Sequence, residues 1–264
     1  MTGWRALDAE LARWAEAGWR CPLWLRDDDA VAASPELERL LALCASAGIP
    51  LGLAAIPADA TPSLAEPLSA HRDVAILVHG WAHSNHAAPG EKKAEFGAGR
   101  PAEARRADAA RGLDRLRGLF GDRVLPLFVP PWNRLGRDMP ALLVEAGYGA
   151  VSGFGPRPAV EAPPGLRWLN THIDLIDWHG GRSAVDSEAL LGRLCRALAE
   201  RREAPADDPP GAEPIGLLTH HRVHDAAIWR LLEALLDRLA GHPAAAWPAP
   251  GSLIGLAPAT GHAP

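Results

Sequence analysis

The chain has 264 residues, of which 48% are hydrophobic, and a formal net charge of −5. A chain of this length and composition can bury one large core, so we expect a single domain over residues 1–264. The negative charge and the lack of a basic stripe argue against nucleic-acid binding. No apolar stretch approaches the length of a membrane span. Nucleic acid and membrane are therefore excluded as expected partners.

The N-terminal residues Met1–Arg5 lack the apolar core of a signal peptide, which predicts a cytoplasmic protein. Three widely spaced cysteines, Cys21, Cys44 and Cys195, do not form a disulfide framework and are expected to be reduced thiols. The sequence leaves the oligomeric state open.

Apolar runs alternate with helical patterns along the chain. After a helical period from Trp4 to Trp14, the predicted strands are Cys21–Leu25, Leu51–Ile56, Val74–Val78, Val124–Val129, Ala150–Ser152, Leu166–Ile173 and Ile215–Thr219. The further predicted helices are Pro35–Ala47, Pro101–Phe120, Met139–Ala146, Ser187–Arg202 and Ala226–Leu239. This order predicts an α/β fold, a barrel-like sheet of about seven mostly parallel strands wrapped by helices. Residues 204–214 are expected to form a surface loop and residues 257–264 a flexible tail.

Two polar motifs directly follow apolar runs that predict strands. Leu25–Ala30 reads Leu-Arg-Asp-Asp-Asp-Ala, and His79–His83 reads His-Gly-Trp-Ala-His. Because the carboxyl ends of parallel strands share one face, these side chains can converge there. Two imidazoles and a carboxylate form a ligand set that zinc accepts with one position left for water.

Each motif also has a plainer interpretation. Three consecutive Asp residues are typical of a solvated turn or a helix N-cap. Histidines four residues apart also arise by chance, as a second pair at His220 and His224 illustrates. The position of both motifs immediately after strands favours the functional interpretation.

Three further strand ends carry candidate residues, within Leu127–Asn133, Asp174–Trp178 and Leu217–His221. Taken singly, each is more typical of structure than of function: a Pro-Pro turn fixes the backbone, and a histidine at a strand end is often a hydrogen-bonded core residue. Five such strand ends in chain order indicate a site.

The five motifs, in this order, resemble those of the polysaccharide deacetylases, carbohydrate esterase family 4. The family's Asp-Asp-Gly motif is similar to Asp28–Ala30, its His-(Ser/Thr)-x-x-His motif to His79–His83 and its Leu-x-His motif to Leu218–His220. Its Arg-Pro-Pro-(Tyr/Phe)-Gly and Asp-x-x-Asp-Trp motifs resemble Val129–Asn133 and Asp174–Trp178. The resemblance implies a distorted (β/α) barrel.

The resemblance also implies roles for the matching residues. Asp29, His79 and His83 would hold a divalent metal, expected to be Zn²⁺, with Asp28 as general base, His220 as general acid and either Asp174 or Asp177 supporting His220. Substrate binding is expected from Trp81, Trp132, Trp178, Asn133 and Arg26, although such Trp rings equally often pack a barrel. The implied reaction removes an N-acyl group, expected to be acetyl, from a sugar or related small amide.

Two departures from the family pattern suggest a divergent, intracellular branch. Val129 stands where the family has the Arg that holds the catalytic Asp, and Gly80 replaces a small hydroxyl residue. Strand alternation puts Arg26 and Asp28 on one side and Asp27 on the other. We therefore expect the Arg26 guanidinium to reach the Asp28 carboxylate or to line the pocket beside it; packing of Arg26 elsewhere is the alternative.

Two other functions are compatible with the same residues. One is hydrolysis of a non-sugar amide or of a cyclic imide or ureide on the same barrel. The other is a catalytically inactive module that binds a metal or a ligand, which the missing motif arginine would permit.

Overall fold

The structure is a computed structural model that describes residues 3–158, 162–204 and 213–256. Its strands are β1 (Cys21–Ala30), β2 (Leu51–Ala55), β3 (Val74–His79), β4 (Val124–Val129), β5 (Ala150–Val151), β6 (Arg167–Trp168), β7 (Ile173–Asp174), β8 (Ile215–Thr219) and β9 (Ala245–Ala246). Its helices are α1 (Gly3–Glu16), α2 (Pro35–Ala47), α3 (Ala65–Leu68), α4 (Ala102–Phe120), α5 (Met139–Glu145), α6 (Ser187–Arg202), α7 (Ala226–Ala240) and α8 (Pro250–Leu253).

The strands form one parallel sheet in the order β6-β5-β4-β3-β2-β1-β8-β7, with β9 beside β1. The two strands at the ends of this order, β6 and β7, are consecutive in the chain. The segment that contains both joins the two edges, because the Leu169 N–H donates to Val151 O at 3.0 Å and the His172 N–H donates to Gly216 O at 2.7 Å. The molecule is therefore a distorted (β/α) barrel that one irregular segment completes.

The segment that joins the edges explains the main difference from the predicted elements. The single strand predicted at Leu166–Ile173 is instead two short strands, because its start pairs with β5 and its end pairs with β8. Strand β1 runs to Ala30 and so includes the acidic motif, and β9 was not predicted. The five helices predicted from Pro35 onwards begin and end within one residue of their predicted bounds.

Alternate residues of β1 face the inside of the barrel in three successive layers. Trp24 belongs to a small apolar cluster there, and its Nε1 donates to Asn170 O at 3.0 Å. Above it, Arg26 and then Asp28 bring charge to the end of the barrel where β1 finishes. The intervening residues of β1 face the helices, where Leu23 and Leu25 join the main core. The strand thus leads from a packed floor to a polar mouth.

Within the described residues, no helix is long and apolar enough to cross a membrane. The expected surface loop at 204–214 lies outside the described residues for positions 205–212, as does the expected tail at 257–264.

Gly216 is the point where β8 approaches both the barrel floor and the joining segment. A Cβ there would lie 2.5 Å from Trp24 Nε1, 2.7 Å from Asn170 O and 2.7 Å from Thr171 Cα. Gly216→Ala is therefore expected to lower the free energy of unfolding by about 1–3 kcal/mol, measured by denaturant titration.

The matched control is Gly192→Ala in α6, where an added Cβ meets no heavy atom within 4 Å. This change should raise the stability by about 0.5–1 kcal/mol, because alanine is the better helix former. Equal unfolding midpoints for Gly216→Ala and the wild type would contradict the close approach.

Candidate active site

The acidic motif divides between two faces because β1 contains a bulge. The pairing of β1 with β2 shifts register between Asp27 and Ala30, and Asp29 within this interval has φ 72°. Regular alternation would send the side chains of Asp27 and Asp29 the same way. With the bulge, Asp29 contacts His79 on the barrel side, whereas Asp27 contacts His221 on the other.

Asp29, His79 and His83 come together at the mouth of the barrel. Asp29 Oδ1 lies 3.1 Å from His79 Nε2 and 3.5 Å from His83 Nε2. One ligand atom from each of the three residues lies within 4.8 Å of the others. Tetrahedral zinc with bonds of about 2.0–2.1 Å spaces its ligand atoms by roughly 3.3–3.4 Å, so the cluster has the dimensions of a metal site.

The hydrogen bonds of His79 make its outer nitrogen a fitting ligand atom. His79 Nδ1 lies 3.1 Å from Val129 O, and a carbonyl oxygen can only accept, so Nδ1 carries the proton. In its neutral form the ring presents a lone pair on Nε2 to the Asp29 carboxylate. Two lone-pair groups face each other stably only around a proton or a cation, so a divalent cation fits this donor set.

Burial lowers the pKa of His79, but the charges of Asp28 and Asp29 outweigh it and raise this pKa overall, so without a metal the cluster favours a proton between His79 and Asp29, at the place where a divalent cation would bind. Burial raises the pKa of Asp29, but the hydrogen bond and charge of His79 outweigh it and hold this pKa well below its usual range. Burial, together with the neighbouring His79, lowers the pKa of His83. At neutral pH the site therefore offers a carboxylate and a neutral imidazole, which are the ligand forms that metals bind.

Beside this cluster, Asp28 is paired with Arg26 inside the barrel. Arg26 Nη2 donates to Asp28 Oδ2 at 2.9 Å, and Arg26 Nε lies 2.9 Å from Asp28 Oδ1. The guanidinium is fully buried. It also donates to Ser152 Oγ at 2.6 Å and to Asn133 Oδ1 at 2.7 Å. The expected contact between the Arg26 guanidinium and the Asp28 carboxylate is therefore present, and Asn133 accepts a hydrogen bond from Arg26 rather than facing the cluster directly.

His220 approaches the same carboxylate from β8, the other neighbour of β1. His220 Nε2 lies 4.0 Å from Asp28 Oδ2, and the His220 ring lies edge-on to Trp178 with 4.8 Å between centroids. Asp174 accepts from Trp178 Nε1 at 2.8 Å, and burial raises its pKa against the charge of His220. Asp177 instead accepts from main-chain N–H groups of its own turn. Of the two carboxylates, Asp174 is the one that holds the Trp178 ring against His220.

The other two Trp residues expected to bind substrate, Trp132 and Trp81, differ in their surroundings. The Trp132 ring lies 4.3 Å from that of His83, centroid to centroid, beside the metal-ligand cluster. The Trp81 ring lies under the Arg111 guanidinium of α4, which is 3.6 Å from its centroid, and packs against the core. Trp132 therefore lies beside the cluster and Trp178 beside His220, whereas the contacts of Trp81 are with the surrounding helix layer.

At Gly80, in the second motif, neighbouring atoms leave no space for a side chain. It has φ 60°, and a Cβ there would lie 2.2 Å from Glu95 Oε2 and 2.6 Å from Pro131 Cγ. Glu95 is buried and accepts from the N–H groups of Trp81 and Ala82 at 3.1 and 2.8 Å. This carboxylate leaves no room for the hydroxyl residue of the family pattern, and it shapes the turn that carries His83.

Backbone strain is concentrated around the same cluster. Among the described residues, five non-glycine residues have positive φ: Asp29 (72°), His83 (53°), Trp132 (56°), Asn133 (54°) and Arg182 (54°). Such conformations cost on the order of 1–3 kcal/mol each and collect at functional sites. Four of the five belong to the site that the motifs predict.

Sequence reasoning did not find the role of Asp27 and His221. Asp27 is completely buried and accepts from the His221 ring, from the His221 N–H at 2.8 Å and from Thr219 Oγ1 at 2.7 Å. Burial lowers the pKa of His221, but the charge of Asp27 outweighs it and raises this pKa overall. The pair fixes the turn that begins at His220. The available signal was the position of both residues next to predicted catalytic ones.

No protein-family model matches the sequence, and no curated protein matches it. Solved structures do match. A Mycobacterium smegmatis protein assigned to the polysaccharide deacetylases has TM-score 0.58 at 15% identity, over 83% of this chain and 75% of that one. A family 4 carbohydrate esterase from Streptomyces lividans, in complex with acetate, has TM-score 0.53 at 15% identity, over 84% and 90%. A CE4 family pseudoenzyme from Bacillus anthracis has TM-score 0.51 at 12% identity, over 83% and 60%.

These matches define the class of the fold. The chain has the distorted (β/α) barrel of the polysaccharide deacetylases, as its motifs predicted. The pseudoenzyme has the same fold, so the activity has to be argued from the site.

The buried pair of Asp27 and His221 generates a stability prediction. Asp27→Ala leaves the His221 ring and the Thr219 hydroxyl without their acceptor, so the free energy of unfolding should fall by about 3–5 kcal/mol. Asp8→Ala is the control, because Asp8 pairs with Arg238 at the surface. The control should change stability by less than about 1 kcal/mol. Equal losses in the two variants would contradict the account.

Proposed function

We propose that the protein is a metal-dependent hydrolase that removes an N-acyl group, an acetyl in the simplest case, from a sugar or related small amide. The observation that carries this proposal is the grouping of three metal-type ligands beside a carboxylate held by arginine, with a histidine 4.0 Å from that carboxylate. A ligand cluster alone would serve binding. The added base and acid candidates favour hydrolysis.

Asp29, His79 and His83 would hold one divalent ion, proposed to be zinc. Such an ion, when bound, supplies a Lewis acid and brings the pKa of water towards about 7. The role of the chain is to supply a carboxylate and two imidazoles with one ring already oriented by Val129 O.

Asp28 is the proposed general base. Its carboxylate would accept the proton of the attacking water, and the Arg26 contacts on both oxygens would keep its rotamer fixed. A displacement near 1 Å at a reacting group costs roughly 10²-fold in rate. Arg26 would in this way do from β1 what the family's third-motif arginine does from another strand.

His220 is the proposed general acid, which would protonate the leaving amine. Its ring is held edge-on by Trp178, and Asp174 supports this contact by accepting from the indole N–H. Asp174 would therefore act on His220 through charge and through Trp178.

The acyl group would lie between the proposed base and Trp132. The N–H groups of Asn133 and Arg134 donate to Pro130 O and Pro131 O at 2.9 and 3.3 Å, which leaves the Trp132 N–H as the main-chain donor available to the substrate oxygen. Trp132 and Trp178 would form apolar walls for a sugar face or acyl group. Trp81 and Asn133 would act indirectly, through the turn and through Arg26.

The test is a screen of zinc-reconstituted protein against N-acetylated sugars, sugar nucleotides and cyclic amides, with acetate and ring-opened product assayed. Acetate release supports the proposal. Hydrolysis of cyclic amides alone would favour the imide or ureide hydrolase. Metal binding without any hydrolysis would favour the inactive module.

Metal content separates the ligands from the base. Wild-type protein dialysed against zinc should retain about one ion per chain, and His83→Ala should lose it. Asp28→Asn should keep the ion, while turnover falls by about 10²–10⁴-fold because proton abstraction is lost. Metal analysis and the acetate assay measure both. Loss of zinc from His224→Ala but not from His83→Ala would overturn the ligand assignment.

Arg26 gives a further prediction that concerns stability and turnover together. Arg26→Met leaves Asp28 buried without a partner, which should cost about 3–5 kcal/mol of unfolding free energy and about 10²-fold in turnover. The double variant Arg26→Met with Asp28→Asn removes both charges, so part of the stability should return while turnover stays low. Unchanged turnover in Arg26→Met would contradict the positioning role.

A further inference from the structure

Two exposed arginines, Arg182 and Arg222, lie on the His220 side of the site. Arg182 lies over Trp178, with its Cζ 5.5 Å from the ring centroid, and Trp178 in turn contacts His220. Arg222 follows His220 by two residues, and its Nη1 donates to the main-chain oxygen of Asp29 at 3.2 Å. Within the described part of the chain, neither arginine makes an ion pair within 4 Å.

Hydrogen bonds to Asp177 hold the loop that carries Arg182. Asp177 Oδ1 accepts from the N–H groups of His179 and Gly180, and the Arg182 N–H donates to Asp177 O at 2.9 Å. Arg182 itself is the fifth non-glycine residue with positive φ, and the other four lie in the candidate site. A positive φ in a hydrogen-bonded loop, at a residue whose guanidinium lies over a site aromatic ring, is typical of a functional residue.

The carboxylates nearest to these arginines in the chain have other donors. Asp186 accepts from the Ala189 N–H at 2.9 Å as the N-cap of α6, and Asp177 accepts from N–H groups of its own turn. Asp225 accepts from Ser183 Oγ and from the N–H groups of Ala227 and Ile228 at 2.9 and 2.8 Å, as the N-cap of α7. The guanidinium groups of Arg182 and Arg222 therefore remain available to an external anion, although the whole chain is negatively charged.

We propose that the substrate carries a carboxylate or phosphate on its amine portion, and that Arg182 and Arg222 bind this anion. The inference rests on the proposed function, in which His220 protonates the leaving amine, so that the amine portion lies on the His220 side. The acyl portion lies on the Trp132 side. The substrate class is then an anionic N-acyl amine, such as an N-acyl amino acid or a phosphorylated N-acetyl amino sugar.

The experiment compares ligands that differ only in charge. Equilibrium binding to the zinc-loaded full chain is measured by calorimetry in the Asp28→Asn background, which should keep the ion but hydrolyse too slowly to disturb the titration. The ligands are N-acetylglycine against N-acetylglycinamide, and N-acetylglucosamine 6-phosphate against N-acetylglucosamine. At least one charged ligand should bind about tenfold or more tightly than its neutral partner, because charge-assisted hydrogen bonds to guanidinium are strong. The pair that discriminates tells carboxylate from phosphate.

The variants locate the anion. The ratio of affinities should fall to about threefold or less in Arg182→Gln with Arg222→Gln, and Arg182→Lys should keep more of it than Arg182→Gln. Arg193→Gln is the control, because Arg193 is exposed on α6 and has no ion pair in the described residues. This control should keep the wild-type ratio.

Three results would overturn the inference: equal affinities within both ligand pairs, no detectable binding of either charged ligand, or a ratio that survives in the double variant. Acetate release from the same ligands is assayed in parallel with zinc-loaded wild-type protein. Absence of hydrolysis then counts against the proposed function, whereas the affinity ratio reports on the anion site alone.

Discussion

Three consecutive carboxylates at the end of one buried strand each need their own positive partner, and this requirement organises the site. A carboxylate buried without a partner costs several kcal/mol. Asp27 is compensated by His221 on the helix side of β1, and Asp28 by Arg26 inside the barrel. Asp29 is left to the two histidines of the second motif. Asp29 is the carboxylate of the three that faces two imidazoles at the spacing of metal ligands, and it is the one at which a divalent cation would bind.

The backbone of β1 determines the face on which each of the three carboxylates lies. Without the bulge in β1, Asp29 would follow Asp27 to the helix side, and the two histidines would lack a carboxylate. The strained φ values at Asp29, His83, Trp132 and Asn133 hold four side chains around one space. The packed layers below, from Trp24 up to Arg26, supply the rigid support that such strain requires. Stability and chemistry are thus connected through β1, because the same strand forms the barrel floor and carries the proposed base.

Much of this arrangement could be predicted from the sequence, and the exceptions have physical reasons. Periodicity located the long helices and strands, and motif order pointed to the fold and to the residues of the cluster. The alternation of β1 correctly put Arg26 beside Asp28 and Asp27 opposite. The split of Leu166–Ile173 was not predictable, because it depends on which strand each half meets. Glu95, which excludes a side chain at Gly80, lies in a polar loop without periodicity and gave no signal.

The account depends most on where a metal ion binds. Anomalous diffraction at the zinc absorption edge, recorded from crystals of the zinc-loaded protein, would measure this directly. The account predicts one strong peak bounded by Asp29, His79 and His83, next to the Asp28 carboxylate and on the side that faces His220. A main peak elsewhere, such as between His220 and His224 or beside Asp27 and His221, would contradict it.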